Sequence, residues 1–224
     1  MKKTRKILLM AACAVLLVCI SVGATVAYLT ATDSVTNTFT VGKVAITLDE
    51  AKVNTDGSLV PNADRVKANS YKLMPGHEYK KDPTVHVTAG SEDCYLFVDI
   101  QNGIADIEAP VVQQRGETKS YATILGSNNT NSQVEMNGWK LLKEGSTIYY
   151  RDDVEAGKSY QVFWGFAIKG DVEAAPSPKP TDDTTKYIDD YTNERITITA
   201  YAVQKDGFSS ALEAWNATYG KTNP

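Results

Sequence analysis

The strictest pattern in this sequence is an alternation of side chains with a period of two, which occurs twice near its C-terminal end. On one face of residues 159–168 lie the large side chains of Tyr160, Val162, Trp164, Phe166 and Ile168. Residues 195–203 repeat the pattern, with Ile196, Ile198, Ala200 and Ala202 on a common face. A period of two is typical of a β-strand with one buried face, whereas a helix repeats every 3.6 residues. The chain is therefore predicted to build its core from sheets.

Shorter segments with strand character precede these two. They cover residues 44–48, 84–88, 94–101, 120–125, 139–142 and 147–151. Polar stretches rich in Asn, Gly and Ser separate them and predict loops, among them residues 49–76, which end in the Pro75-Gly76 turn, and residues 126–132. Residues 174–183 are too rich in proline to pair in a sheet, so they predict an exposed loop inserted in the domain.

One helix is predicted, near the C-terminus. Phe208, Leu212, Trp215 and Tyr219 recur at helical spacing between Gly207 and Gly220. This stripe is expected to pack against a sheet rather than to bind a ligand. Strands in succession followed by one helix predict an all-β fold, an antiparallel jelly-roll-like β-sandwich with one short C-terminal helix, formed by residues 42–224 as a single domain.

The first 27 residues read as an export signal. Basic residues near the start precede the apolar residues 7–22, and the small residues 23–27 follow, with Thr25 and Ala27 at the positions that signal peptidases favour. We expect a cleavable signal helix, cut between Ala27 and Tyr28. A retained membrane anchor is the alternative, because such a run can span a bilayer. A lipoprotein, modified at Cys13 or Cys19, fits less well because Val18 precedes Cys19.

Cleavage would leave an acidic chain with one cysteine. The full chain has a net charge of −4, and the signal carries basic residues but no acidic ones. Such a chain is not expected to bind nucleic acid or anionic lipid, and it contacts a membrane only before cleavage. Cys94 would be the one remaining cysteine, so no intramolecular disulfide is possible. We interpret Cys94 as a small buried apolar residue of the strand 94–101.

No catalytic site emerges from the sequence. His77 and Glu78 begin a motif like that of zinc proteases, but Lys81 stands where the second histidine would be needed. His86 is predicted on the polar face of a strand. The acidic pairs at 152–153, 182–183 and 189–190 lie in loops, where weak calcium binding stays an alternative to solvation. We therefore expect no enzyme, no metal site and no cofactor.

Three stretches of this sequence resemble the TasA and camelysin family of Gram-positive bacteria. They are ATVAYLTATDSVTNTFTVGKVAITLDE, LMPGHEYKKDPTVHVTAGSEDCYLFV and ITAYAVQKDGFSSALEAWNATYG. The resemblance implies a jelly-roll protein that is cut by a SipW-type signal peptidase after Ala27. It also implies a secreted structural subunit of biofilm matrix fibres, located in the extracellular matrix or at the cell surface.

The N-terminal segment 28–41 would then be a donor strand. An extended segment at a chain end can add to the sheet edge of another molecule, and this contact repeats head to tail into a homopolymer. Within it, Leu29, Val35, Phe39 and Val41 are expected to supply the buried side chains. The phase of apolar residues shifts at Gly42, which predicts a bulge or kink there. In the alternative, the segment pairs with its own sheet.

Other functions stay open at this stage. An accessory matrix protein is a possible further partner of the fibre. Because camelysin is described as a casein-cleaving metalloprotease, the runner-up function is a cell-surface metalloprotease. A third candidate is a surface adhesin or binding module, with Tyr149 and Tyr150 as exposed contacts for a glycan or a host protein.

Overall fold

Short strands make up most of the regular structure, as the alternating pattern predicts. The computed structural model describes residues 43–115, 118–127, 129–177 and 185–220, together with Lys3, Cys13, Val15 and Leu16. In these residues the strands are β1 Ile46–Asp49, β2 Glu78–Lys80, β3 Thr84–Val87, β4 Cys94–Asn102, β5 Glu108–Ala109, β6 Val111–Arg115, β7 Thr118–Thr123, β8 Asn131–Ser132, β9 Lys140–Leu141, β10 Ile148–Arg151, β11 Ser159–Gln161, β12 Gly165–Ile168 and β13 Ile196–Gln204. The helices are α1 Gln133–Met136 and α2 Ala211–Thr218, with 3₁₀ turns at Ala105–Ile107 and Ile188–Tyr191.

Several predictions fall outside the described residues. They are the signal peptide 1–27, the cleavage site Ala27–Tyr28, the donor arm 28–41 with Leu29, Val35, Phe39 and Val41, the kink at Gly42, and the part of the proline-rich loop from residue 178 to residue 183. Residues 42–224 form one compact unit of the chain.

A bent pair of strands forms the centre of one layer. Strand β2 pairs antiparallel with β12, and β3 pairs antiparallel with β11. The other edge of β3 pairs with β1, and the other edge of β12 pairs with β5. The gap between β2 and β3 lies beside the gap between β11 and β12. There the N–H of Val162 donates to the carbonyl of Pro83 at 2.8 Å. The prediction of one continuous strand over 159–168 is therefore wrong. Pro83 lacks the N–H that a regular ladder requires, and Val162 and Phe163 are both buried although they are consecutive.

The second layer is a sheet in the order β13-β4-β10-β9. Strand β4 lies inside it and is covered on both faces, as its continuous apolar sequence predicts. Leu96, Val98 and Ile100 join the core that the two layers share, while Phe97 points to the opposite face. That core also contains Tyr79, Val85, Phe166 and Ile168 from the first layer. Cys94 is buried, as predicted, and burial raises the pKa of its thiol.

The segment 105–136 was predicted only in part, because β7 overlaps the predicted strand 120–125 while β6, β8 and α1 were not predicted. Strands β6 and β7 pair antiparallel, and β7 makes a two-residue parallel pair with β8. The one-turn helix α1 follows, with the Ser132 hydroxyl accepting from the N–H of Glu135 at 3.2 Å. The prediction that residues 120–151 contain no helix is thus wrong at α1. A four-residue helix has too few apolar repeats to show a period.

Helix α2 confirms the predicted C-terminal helix. Its first residue is Ala211, because the hydroxyl of Ser210 caps it by accepting from the N–H of Glu213 at 3.2 Å. Trp215 packs on Phe97, with ring centroids 5.1 Å apart, so the helix covers the outer face of the second layer. Phe208, Trp215 and Tyr219 therefore pack against a small second core, as predicted, whereas Leu212 is 41% exposed.

Candidate functional site

The outer edge of β13 is the longest strand edge that no other described strand covers. The strand has nine residues, and its one partner among the described strands is β4. Exposed edges of this length are unusual, because unpaired backbone groups act as a template for a further strand. Charges or prolines that commonly block such edges do not occur within residues 196–204.

The hydrogen bonds at the two ends of β13 show which backbone groups face this edge. The carbonyl of Arg195 accepts from the N–H of Gly103 at 2.9 Å, and the N–H of Lys205 donates to the carbonyl of Asp93 at 2.8 Å. Odd-numbered residues therefore turn their backbone groups toward β4, and even-numbered residues turn theirs away. The residues with outward-facing N–H and C=O groups are Ile196, Ile198, Ala200, Ala202 and Gln204.

The apolar side chains of the same edge are incompletely covered. Ile196, Ile198, Ala200 and Ala202 pack against the shared core, yet each remains only partly buried. A strand added beside β13 would therefore satisfy backbone groups and cover apolar side chains in one step. Thr197 and Thr199, on the opposite face, are exposed.

Strand β1 lies next to this edge, on the other layer. Its own outer edge is partly covered, because Glu50 and Val66 exchange backbone hydrogen bonds of 2.9 and 2.8 Å. The Lys67 ammonium also donates to the carbonyl of Leu48. Residues 43–45 lead into β1, and the predicted donor segment 28–41 precedes them in the sequence.

Helix α2 holds the second half of β13 in place. The ring of Tyr201 stands edge-on to Trp215 at 5.3 Å and contacts Tyr219 at 4.8 Å. Aromatic contacts of this geometry add to the apolar area that they bury. The strand is thus packed between the shared core and the helix.

The two histidines have separate partners and do not meet. His77 bonds through Nε2 to the carbonyl of Asp56 at 2.7 Å. His86 lies on the polar side of β3, as predicted, between Asp49 at 2.9 Å and Ser159 at 2.6 Å. Since the Asp49 carboxylate can only accept, Nε2 of His86 donates to it and Nδ1 accepts from the hydroxyl of Ser159 in the neutral ring. Among the described residues, no three metal-binding side chains cluster.

The carboxylate of Asp49 accepts hydrogen bonds from both His86 and Arg65. Burial acts to raise the pKa of its carboxyl, but hydrogen bonds from Arg65 and His86 outweigh burial and lower it. Arg65 also donates to Asp82 at 2.9 Å. Through the hydrogen bonds of His86 to Asp49 and Ser159, side chains of β1, β3 and β11 are connected across the outer face of the sheet.

The acidic pairs bond to neighbouring groups. Asp152 accepts two hydrogen bonds from Lys140, at 2.8 and 2.9 Å, which lower its pKa. Asp189 and Asp190 accept from the backbone N–H groups of Ala175 and Tyr187, at 2.9 and 3.0 Å. The pair 182–183 lies outside the described residues.

The prediction that Tyr149 and Tyr150 are exposed is wrong for both residues. Tyr149 is 6% exposed and belongs to the shared core, because adjacent residues of β10 point to opposite faces. Tyr150 is partly buried, with the Lys140 ammonium 5.8 Å from its ring centre.

A buried polar group was missed by sequence reasoning. Glu50 and Lys81, 4% and 8% exposed, form an ion pair, and the amide of Asn69 donates to the same carboxylate at 3.0 Å. Glu50 and Asn69 come from a segment whose polar composition predicts a surface loop. No local pattern indicates that these side chains meet.

Comparison with protein-family models, curated proteins and solved structures found no match. In the described part of the chain, no helix has the length and apolar character to cross a membrane.

Proposed function

We propose that this protein is a secreted structural subunit of extracellular matrix fibres, of the jelly-roll type of the TasA and camelysin family. A SipW-type signal peptidase would cut between Ala27 and Tyr28. Residues 28–41 of one subunit would then pair with the free edge of β13 in the next. The observation that carries the proposal is this nine-residue edge, which no described strand covers.

Strand addition at this edge accounts for both affinity and register. The outward-facing N–H and C=O groups of β13 would bond to the arm, with a net gain of about 0.5–1.5 kcal/mol for each hydrogen bond. In an extended arm, Leu29, Val35, Phe39 and Val41 share one face, since all have odd numbers. That face would lie over the partly buried Ile196 and Ile198.

The lengths of arm and edge are compatible. At roughly 3.3 Å per residue, an extended arm of residues 28–41 spans more than the nine residues of β13. The excess leaves residues to connect one subunit to the next. Because the arm and the edge are different surfaces, each subunit has one free donor and one free acceptor, and the contact propagates into a filament instead of closing as a symmetric dimer.

The proposal is tested by comparing protein that starts at Tyr28 with protein that starts at Gly42. Electron microscopy should show filaments for the longer protein and single particles for the shorter one. Equal yields of filaments would overturn the donor role. Filaments that are absent from both, with residues 28–41 paired to β13 of the same molecule, would support the self-paired alternative.

A matched pair of substitutions tests which face of the arm is buried in the filament. Phe39→Asp would carry a charge into the apolar groove and should abolish assembly. Thr40→Asp places the same charge on the opposite face and should leave assembly largely intact. Equal effects of the two substitutions would contradict the predicted orientation.

A further inference from the structure

Three side chains near the break between β2 and β3 form a compact hydrogen-bonded group. Lys81 and Glu50 are buried together, and the Lys81 ammonium donates to Oε2 of Glu50. The side-chain nitrogen of Asn69 donates to the other oxygen, Oε1, at 3.0 Å. One carboxylate therefore bridges an amine and a carboxamide.

The carboxamide of Asn69 has a defined orientation. Its nitrogen also donates to the carbonyl of Ala51 at 2.8 Å, and its oxygen accepts from the N–H of Val53 at 3.0 Å. The neighbours of the nitrogen are both acceptors and the neighbour of the oxygen is a donor, so the amide can have only this orientation. The Val53 N–H polarises the carbonyl, as a donor of an oxyanion hole does.

The surroundings of Lys81 exclude most water. The ring of Tyr71 lies with its centre 5.8 Å from the ammonium, and burial of this tyrosine raises the pKa of its phenol. A buried lysine amine that has given up its proton is a nucleophile.

We propose that Lys81 and Asn69 form an intramolecular isopeptide bond, with Glu50 as the proton carrier. The bond would join Nζ of Lys81 to Cγ of Asn69 and release ammonia. It would cross-link two segments of a chain whose part after residue 27 has one cysteine and so cannot form an internal disulfide.

The proposed reaction balances without a cofactor or an oxidant. Glu50 takes a proton from the Lys81 ammonium, and the neutral amine attacks Cγ of Asn69. The Val53 N–H stabilises the negative charge that develops on Oδ1. Glu50 then protonates the Asn69 nitrogen, the Cγ–Nδ2 bond breaks and ammonia leaves. The new amide loses its extra proton to Glu50, from which it passes to solvent.

Folding itself would supply the catalysis. Glu50 lies 31 positions from Lys81 and 19 from Asn69, so the three groups meet only in the folded chain. Holding an amine against an acyl group converts a slow bimolecular reaction into an intramolecular one. The reaction is therefore expected once per molecule, after folding.

Mass spectrometry of the intact, folded protein that starts at Tyr28 tests the proposal. Its mass should be lower than the sequence mass by one ammonia. Tryptic digestion should yield one branched peptide that contains both Asn69 and Lys81. A mass equal to the sequence mass would overturn the proposal, and so would the loss of one water, which indicates direct coupling of Lys81 to Glu50.

Variants separate the roles of the three residues. Lys81→Met, Asn69→Ala and Glu50→Gln should each restore the full sequence mass, whereas Lys80→Met, at the exposed neighbour, should keep the loss of ammonia. Asn69→Asp should lose water in place of ammonia, because the leaving group becomes hydroxide. Loss of ammonia that persists in Lys81→Met would contradict the assignment.

Discussion

The side-chain oxygen of Gln133 accepts a hydrogen bond from the backbone N–H of Trp164 at 3.0 Å, across 31 positions of sequence. The amide nitrogen of the same side chain donates to the carbonyls of Gly165 at 2.9 Å and Ala122 at 3.2 Å. Gln133 is fully buried. It thus satisfies backbone groups of β7 and of the start of β12, next to the end of the ladder between β5 and β12.

Replacement of Gln133 by leucine should strongly destabilise the fold. The change keeps the approximate volume but leaves the N–H of Trp164 and two carbonyls without partners, at a cost of about 1–3 kcal/mol for each buried group. We expect a loss of roughly 3 kcal/mol or more in the free energy of unfolding, measured by urea denaturation. Gln161→Leu, on the exposed side of β11, is the control and should change the value by less than about 0.5 kcal/mol.

Proline substitutions in β13 should separate assembly from folding. Ala200→Pro removes an N–H that faces the uncovered edge, so the monomer should keep its fold and lose the ability to form filaments. Thr199→Pro removes an N–H that faces β4 and should lower the free energy of unfolding by about 1–3 kcal/mol. Circular dichroism and electron microscopy measure the two effects. Normal filaments from folded Ala200→Pro protein would exclude β13 as the acceptor.

Glu108 should make the stability depend on pH. Its carboxyl accepts from the N–H of Ile124 and from Asn102, each at 2.7 Å, and burial raises its pKa from 4.5 to about 7. Since the folded state holds the proton more tightly, this contribution is fully present below pH 4.5 and is lost as pH rises through about 7. We expect a decrease on the order of 3 kcal/mol across this window.

The matched variant for that prediction is Glu108→Gln. The variant forfeits the hydrogen bond from Asn102, so its stability at acid pH should be lower than that of the natural protein. Its decrease between pH 4.5 and about 7 should be smaller by the contribution of this one carboxyl. Parallel pH profiles of the two proteins in urea denaturation would show that another group is responsible.

Trp215 should be the main anchor of helix α2. Its ring contacts Phe97 and Tyr201, at 5.1 and 5.3 Å between centroids. Because Trp215 is only partly buried, Trp215→Ala should cost about 3 kcal/mol, the lower end of the range for aromatic core residues. Thermal unfolding and near-ultraviolet circular dichroism would measure the loss. Leu212→Ala, at a side chain 41% exposed on the same helix, should have a much smaller effect.

Local patterns predicted many of the elements. The strand over residues 195–203 appears as Ile196–Gln204, and the strand over 94–101 as Cys94–Asn102, because both contain long runs with a clear period or continuous apolar character. Two-residue strands such as Glu108–Ala109 and the one-turn helix at Gln133 were not predicted. Elements this short are stabilised by contacts with distant residues, and their own sequence contains no signal.

The candidate site was predicted only in part. The arm of residues 28–41 was predicted from its β-forming composition and its place after the predicted signal peptide, and it lies outside the described residues. The acceptor edge could not be inferred in the same way, because alternation shows which face of β13 is buried but not whether a strand lies on each side. The convergence of Glu50, Asn69 and Lys81 is likewise invisible in a segment that reads as a polar loop.

The sequence by itself determined the all-β character, the C-terminal helix and the side of β13 that faces the shared core. These properties depend on the spacing of apolar side chains within one element, and that spacing is a local quantity. The tertiary structure alone decided where the long strand over 159–168 breaks, which edge of β13 no described strand covers and which buried side chains meet around Glu50. Those properties depend on hydrogen bonds and packing between residues tens of positions apart, which no local period encodes.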